Sequence, residues 1–195
     1  MRRVFQGRTG MALASACALG LVIAVPLAAV PSEASTRVGE IPQGEPGTNG
    51  NYEVFGPRFP TGGVVTSWEV LGSENSGDAN SRASLRIWQR PDDTLPVKAT
   101  VVAESKPADI RPGLNKFQTR VPVQGGDLLG ISTYYLAAAG PSSSSSTCGT
   151  DSWLEPLGTV ATFTCEGGYQ ANVAATLEPD ADADGAVQVQ DQVPQ

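Results

Sequence analysis

Histidine is absent from all 195 residues, cysteine occurs only three times, and aromatic residues make up 6% of the chain. Without histidine there is no Ser-His-Asp or Cys-His hydrolysis, no His-ligated zinc and no imidazole base. Basic residues are also scarce, with 13 Lys and Arg against 20 Asp and Glu. Beyond residue 34 the chain keeps 10 of the bases and 19 of the acids, a net charge of −9 with no basic run. That balance excludes nucleic acid and an anionic membrane surface as partners held by charge. Apolar residues never hold a 3.6-residue period over three turns beyond the N-terminal segment, which leaves little room for a helical core.

The first 34 residues have the layout of an export signal. Arg2, Arg3 and Arg8 precede an apolar run from Met11 to Val30 that Pro26 interrupts, and Ser32 and Ala34 are small residues before a cut at Ser35. Residues 1–34 therefore read as a signal peptide, with secretion to the extracellular space or cell envelope and no membrane anchorage after cleavage. Cys17 falls inside that segment, so the exported chain keeps Cys148 and Cys165. In an oxidising compartment two cysteines allow one internal pairing, and a structural disulfide is expected.

Residues 35–50 are rich in Gly and Pro, lack a period, and read as a leader. Alternation of period 2 then recurs between turn clusters: Val64 to Leu71, Ala83 to Arg90, Val97 to Glu104, Phe117 to Val123, Leu129 to Tyr135, Thr159 to Cys165 and Tyr169 to Leu177. About seven or eight short strands of this kind predict an all-β domain over residues 51–177, an antiparallel β-sandwich with a jelly-roll-like arrangement. Pro122 cannot donate to a ladder, which predicts an edge or bulged position for its strand. The serine run 142–146 cannot bury apolar area and reads as a surface loop tied at its base by Cys148.

Residues 178–195 form an acidic tail. Asp180, Asp182 and Asp184 alternate, Gly185 follows, and Asp191 stands seven beyond Asp184. This is the spacing of a twelve-residue calcium loop, whose carboxylates wrap inward only if the sixth residue turns sharply. Calcium is the one cofactor the sequence suggests, held weakly by Asp180, Asp182, Asp184 and Asp191. Gln188 replaces an acid and no helices flank the loop, so it is not an EF-hand, and a solvated acidic tail is the competing reading.

The segment 172–185, NVAATLEPDADADG, resembles the junction in secreted bacterial β-sandwich proteins whose last strand runs into aspartate-rich repeats similar to thrombospondin type 3 repeats. The segment 113–130, GLNKFQTRVPVQGGDLLG, resembles their central edge strand and turn. Only one degenerate repeat is present here. The resemblance implies a secreted, non-catalytic module.

For binding, the alternation of Leu85 and Ile87 toward a core turns Arg86, Trp88 and Arg90 outward as a row, with Tyr134 joining an outer surface. An exposed indole flanked by guanidiniums is suited to stack on a sugar ring and hydrogen-bond its substituents. The competing reading is that neighbouring chain covers Trp88. A secreted module binding a glycan or another cell-envelope ligand is the function expected. A carboxylate-dependent polysaccharide hydrolase is the alternative, but Glu69 and Glu104 read as surface acids and no catalytic residue is assigned. A cell-surface assembly protein is a third reading.

Overall fold

The computed structural model describes residues 34–43, 50–74, 76, 81–92, 94–152 and 154–179, with the backbone alone at 142–146. The chain divides into Met1–Pro31 and Ser32–Gln195, and every described residue belongs to the second unit. No helix among the described residues is long and apolar enough to cross a membrane.

Among the described residues, eleven strands build two antiparallel sheets packed as a β-sandwich. They are β1 (Thr36–Glu40), β2 (Gly50–Arg58), β3 (Gly63–Gly72), β4 (Arg82–Gln89), β5 (Val97–Glu104) and β6 (Ala108–Asp109). Then follow β7 (Gly113–Val123), β8 (Leu128–Leu136), β9 (Ala139–Thr150), β10 (Val160–Ala171) and β11 (Val173–Pro179). The smaller sheet has the order β1-β11-β3-β7, and the larger β5-β10-β9-β2-β8-β4-β6. The expected alternation of burial is present in β5 and β7, whereas β4 and β8 are buried on both faces. Pro122 lies on β7, an edge strand, where its missing N–H disturbs no further ladder.

Four features depart from the sequence reading. The segment expected to be a leader contains β1, which pairs with β11 from Thr36↔Leu177 to Glu40↔Val173. β2 was not foreseen, because it carries Glu53 and Pro57 among its apolar residues. The serine run is no loop: the backbone of β9 passes through it and pairs with β10 on either side. Finally, the pairing with β7 slips between Val65 and Ser67, so that Val65, Trp68 and Val70, rather than a strict alternate set, reach one core. A bulge of this kind moves side chains from one face to the other.

The core between the sheets joins Trp68 and Val70 of β3 to Leu85 and Ile87 of β4, Leu129 and Ile131 of β8, and Val173 and Leu177 of β11. Each such side chain contributes about 1.5–3 kcal/mol on burial. A second core lies on the other face of the larger sheet. β5 pairs with β4 as well as β10, so β4-β5-β10-β9-β2-β8 closes into a ring of six strands. Phe55 of β2, Trp88 of β4 and Phe163 of β10 meet across that ring, with centroids 4.7–6.5 Å apart. These three strands are not neighbours in the pairing order, so their side chains fill the inside of the ring. Cys148 and Cys165 face each other across β9 and β10 and form the disulfide, beside this second core.

Candidate functional site

Ring closure changes the fate of the expected binding row. Arg86 and Trp88 do point away from the sandwich core, but they enter the interior of the ring, and both are 0% exposed. The open outer face predicted for them does not exist, because β5 and β10 cover it. Arg90, just beyond β4, is half-buried and donates to the Thr94 carbonyl at 3.5 Å. Tyr134 is half-buried against the exposed Tyr135, ring centroids 4.5 Å apart, and the neighbouring phenol raises its pKa. The four residues therefore do not form one surface. Asp180, Asp182, Asp184 and Asp191 lie outside the described residues. Among the described residues no group of three or more acidic or cysteine side chains could hold a metal ion.

Arg86 serves the interior instead. Its guanidinium donates to Glu53 Oε1 at 3.2 Å, to Glu104, and to the carbonyl of Glu155. Glu53 is fully buried and accepts the Glu155 N–H at 2.8 Å, while Ser132 Oγ accepts the Leu154 N–H at 3.0 Å. Burial pushes the Glu53 carboxyl above its ordinary pKa, and the Arg86 charge and the Glu155 N–H pull it part of the way back. Glu53, Arg86 and Ser132 thus pin Leu154 and Glu155 to the ring. Leu154 there has φ +52°, a left-handed conformation held by bonds to its own N–H and the next. The cluster is a structural latch in which Arg86 pairs with Glu53 and Glu104, while Glu53 Oε2 and Arg86 Nε are buried without a hydrogen bond.

The surface acids fare differently. Glu69 is nearly buried between Arg37 of β1, at 2.8 Å, and Lys116 of β7, at 3.2 Å. Burial raises its pKa, but the bonds from those two cations outweigh it and hold the carboxyl below its ordinary value. It ties three strands of the smaller sheet together rather than facing a cleft.

A groove of about 600 Å³ opens on the outside of the ring, where β9 and β10 leave the sandwich. That volume lies within the usual range of small-ligand sites. Its floor follows from the register: Val54 of β2 pairs with Gly149 of β9, which pairs with Thr164 of β10. Gly149 places no side chain between them, and a Cβ there would stand 3.0 Å from Val54 Cγ1. Tyr52, Asp151, Glu166 and Tyr169 line it as well. Gly50 lets the Tyr52 ring fold over the backbone, since a Cβ at Gly50 would meet its Cε2 at 2.2 Å. The Tyr169 ring is 43% exposed at the rim. Thr147 also lines the groove, and its hydroxyl is committed to the Phe55 carbonyl at 2.7 Å.

None of these lining residues was foreseen. Tyr52 lies on an unforeseen strand, and Gly149 gains meaning only from its neighbours on β2 and β10. Tyr169 did stand at the head of a predicted strand, but nothing in that strand set it apart. No protein-family model matches the chain, no curated protein matches it, and no solved structure matches it.

Proposed function

We propose that the chain is a secreted, non-catalytic binding module whose groove along β2, β9 and β10 takes a segment of glycan at the cell envelope. The observation that carries this reading is an exposed tyrosine ring at the rim of a polar groove with a glycine floor. An aromatic face stacks on the apolar face of a sugar ring, while the groove's hydroxyls and carboxylates take its hydroxyl protons. The strand order fits a jelly-roll in which β1-β11-β3-β7 and β2-β8-β4-β5 are the two sheets and the β9–β10 hairpin is an insertion that closes the ring. Export rests on the layout of residues 1–34. Weak calcium binding at Asp180, Asp182, Asp184 and Asp191 rests on their spacing and on the resemblance to aspartate-rich repeats.

The test is retention on insoluble polysaccharides and purified cell wall, with calcium and with chelator. Retention that Tyr169→Ala abolishes, in a variant with unchanged thermal unfolding, supports the groove. No retention on any matrix overturns it. Loss on chelation brings the tail into binding.

One observation favours the hydrolase as a second reading: Asp151 and Glu166 line the same groove as two tyrosines. Two carboxylates beside a bound sugar are the minimum for glycoside hydrolysis. Release of reducing ends from a retained polysaccharide, lost in Glu166→Gln or Asp151→Asn, would establish it in place of simple binding.

A further inference from the structure

Resting on the groove reading, the charge pattern of the walls narrows the ligand. Asp151 and Glu166 are the only charged side chains among the described lining residues, and no Lys or Arg stands with them. The ten bases beyond residue 34 are all described residues and none of them lines the groove, although Lys98 stands opposite Thr162, two residues before the lining Thr164. Arg86 is sealed inside the ring, Arg37 and Lys116 are engaged by Glu69, and Arg82 pairs with Asp109 at 3.4 Å. Arg58 donates to the Gly126 carbonyl at 2.8 Å, at the turn between β7 and β8. The undescribed positions beyond residue 34 hold no base either, so none can return positive charge to the groove. A uronate, sulfate or phosphate polymer would meet two carboxylates and no cation among the described lining residues.

We infer that the groove selects cationic sugars, and that its occupant is a chain of amino sugars carrying free ammonium groups. The pyranose face stacks on Tyr169, and an ammonium donates to Glu166 or Asp151. Gly149, between Val54 and Thr164 in the register, keeps a side chain out of the groove floor. Tyrosine hydroxyls and Thr164 are left for the neutral hydroxyls. A lysine-rich peptide satisfies the charge but not the shape, since an extended side chain has no ring to stack on Tyr169.

The test is calorimetric titration of the protein with four probes: a glucosamine tetramer, its N-acetylated counterpart, a galacturonate tetramer and a tetralysine peptide. One charge-assisted hydrogen bond corresponds to about tenfold in affinity. The glucosamine tetramer is expected to bind about tenfold or more tightly than the N-acetylated one, and the galacturonate not at all. Added salt should narrow the gap. Asp151→Asn with Glu166→Gln, both exposed positions, should abolish the preference for the glucosamine tetramer over its N-acetylated counterpart. Equal or better binding of the N-acetylated tetramer, or binding of the galacturonate, overturns the inference while leaving the groove reading in place. Binding of tetralysine with no sugar bound overturns both. Filling the floor with Gly149→Val separates the groove from any other surface: sugar binding that survives it, in a folded variant, also overturns the inference.

Discussion

Arg86→Met removes the guanidinium that the ring interior was built around, and the size of its effect follows from the groups left behind. Glu53, fully buried, would keep only the Glu155 N–H at 2.8 Å and the neighbouring Ser132 hydroxyl. It then either stays ionised without a cation or takes up a proton. Taking up a proton at pH 7, against an ordinary pKa of 4.5 in the unfolded chain, costs at most about 3.4 kcal/mol. The bonds from Arg86 to Glu104 and to the Glu155 carbonyl disappear as well, at about 1 kcal/mol each. The expected loss at neutral pH is therefore about 3–5 kcal/mol, the usual range for breaking a buried pair from one side. The pH dependence carries the mechanism. A carboxyl whose folded pKa is raised contributes most to stability below its unfolded pKa, and that contribution is lost as pH rises through the folded value. Removing Arg86 raises the folded value further, so the variant should be penalised most at pH 7 and least near pH 4.5. Urea unfolding at the two pH values, with the disulfide intact, measures this directly. A loss below about 1 kcal/mol at pH 7, or one of equal size at both, would refute the account of the latch.

Further outcomes follow from the same structure. Trp88→Ala should cost about 3–5 kcal/mol as a core truncation and leave the affinity of the folded protein for glycan unchanged, because Trp88 is sealed within the ring; chemical denaturation and titration on the same variant check both. Replacing Cys148 and Cys165 together by serine should cost about 3 kcal/mol, the chain-entropy figure for a bridge over 17 residues of sequence, and urea midpoints in the presence and absence of reductant should then coincide. Glu69→Gln should destabilise at neutral pH and lose its effect as pH falls through the depressed folded pKa of Glu69, because the Arg37 and Lys116 bonds depend on its charge. Hydrogen exchange should find the Leu154 and Glu155 amides protected in the parent and opened in Arg86→Met.

The alternation of Leu85, Ile87, Leu129 and Ile131 made the sandwich legible, because a period of 2 reports which residues share a face. It does not report what lies beyond that face. Arg86 and Trp88 were placed on the correct side of β4, yet that side became an interior once β5 and β10 met across it. Their polarity pointed to solvent only if buried partners were ignored. Glu53 and Glu104 supply those partners from strands 33 and 18 residues away, a pairing that one strand's pattern cannot contain. The same holds for the groove. Gly149 becomes a floor through its neighbours Val54 and Thr164, and its local sequence, beside a serine run and a cysteine, suggested a loop. Pro122 was legible because its constraint is intrinsic, a missing donor wherever the chain goes.

The most direct test of the groove as a ligand site is backbone amide shift mapping with the glucosamine tetramer titrated into isotope-labelled protein. Shifts concentrated on Tyr52, Gly149, Asp151, Thr164, Glu166 and Tyr169, and abolished by Tyr169→Ala, are the predicted result. Shifts that cluster elsewhere on the sandwich, or none at saturating ligand, would contradict it.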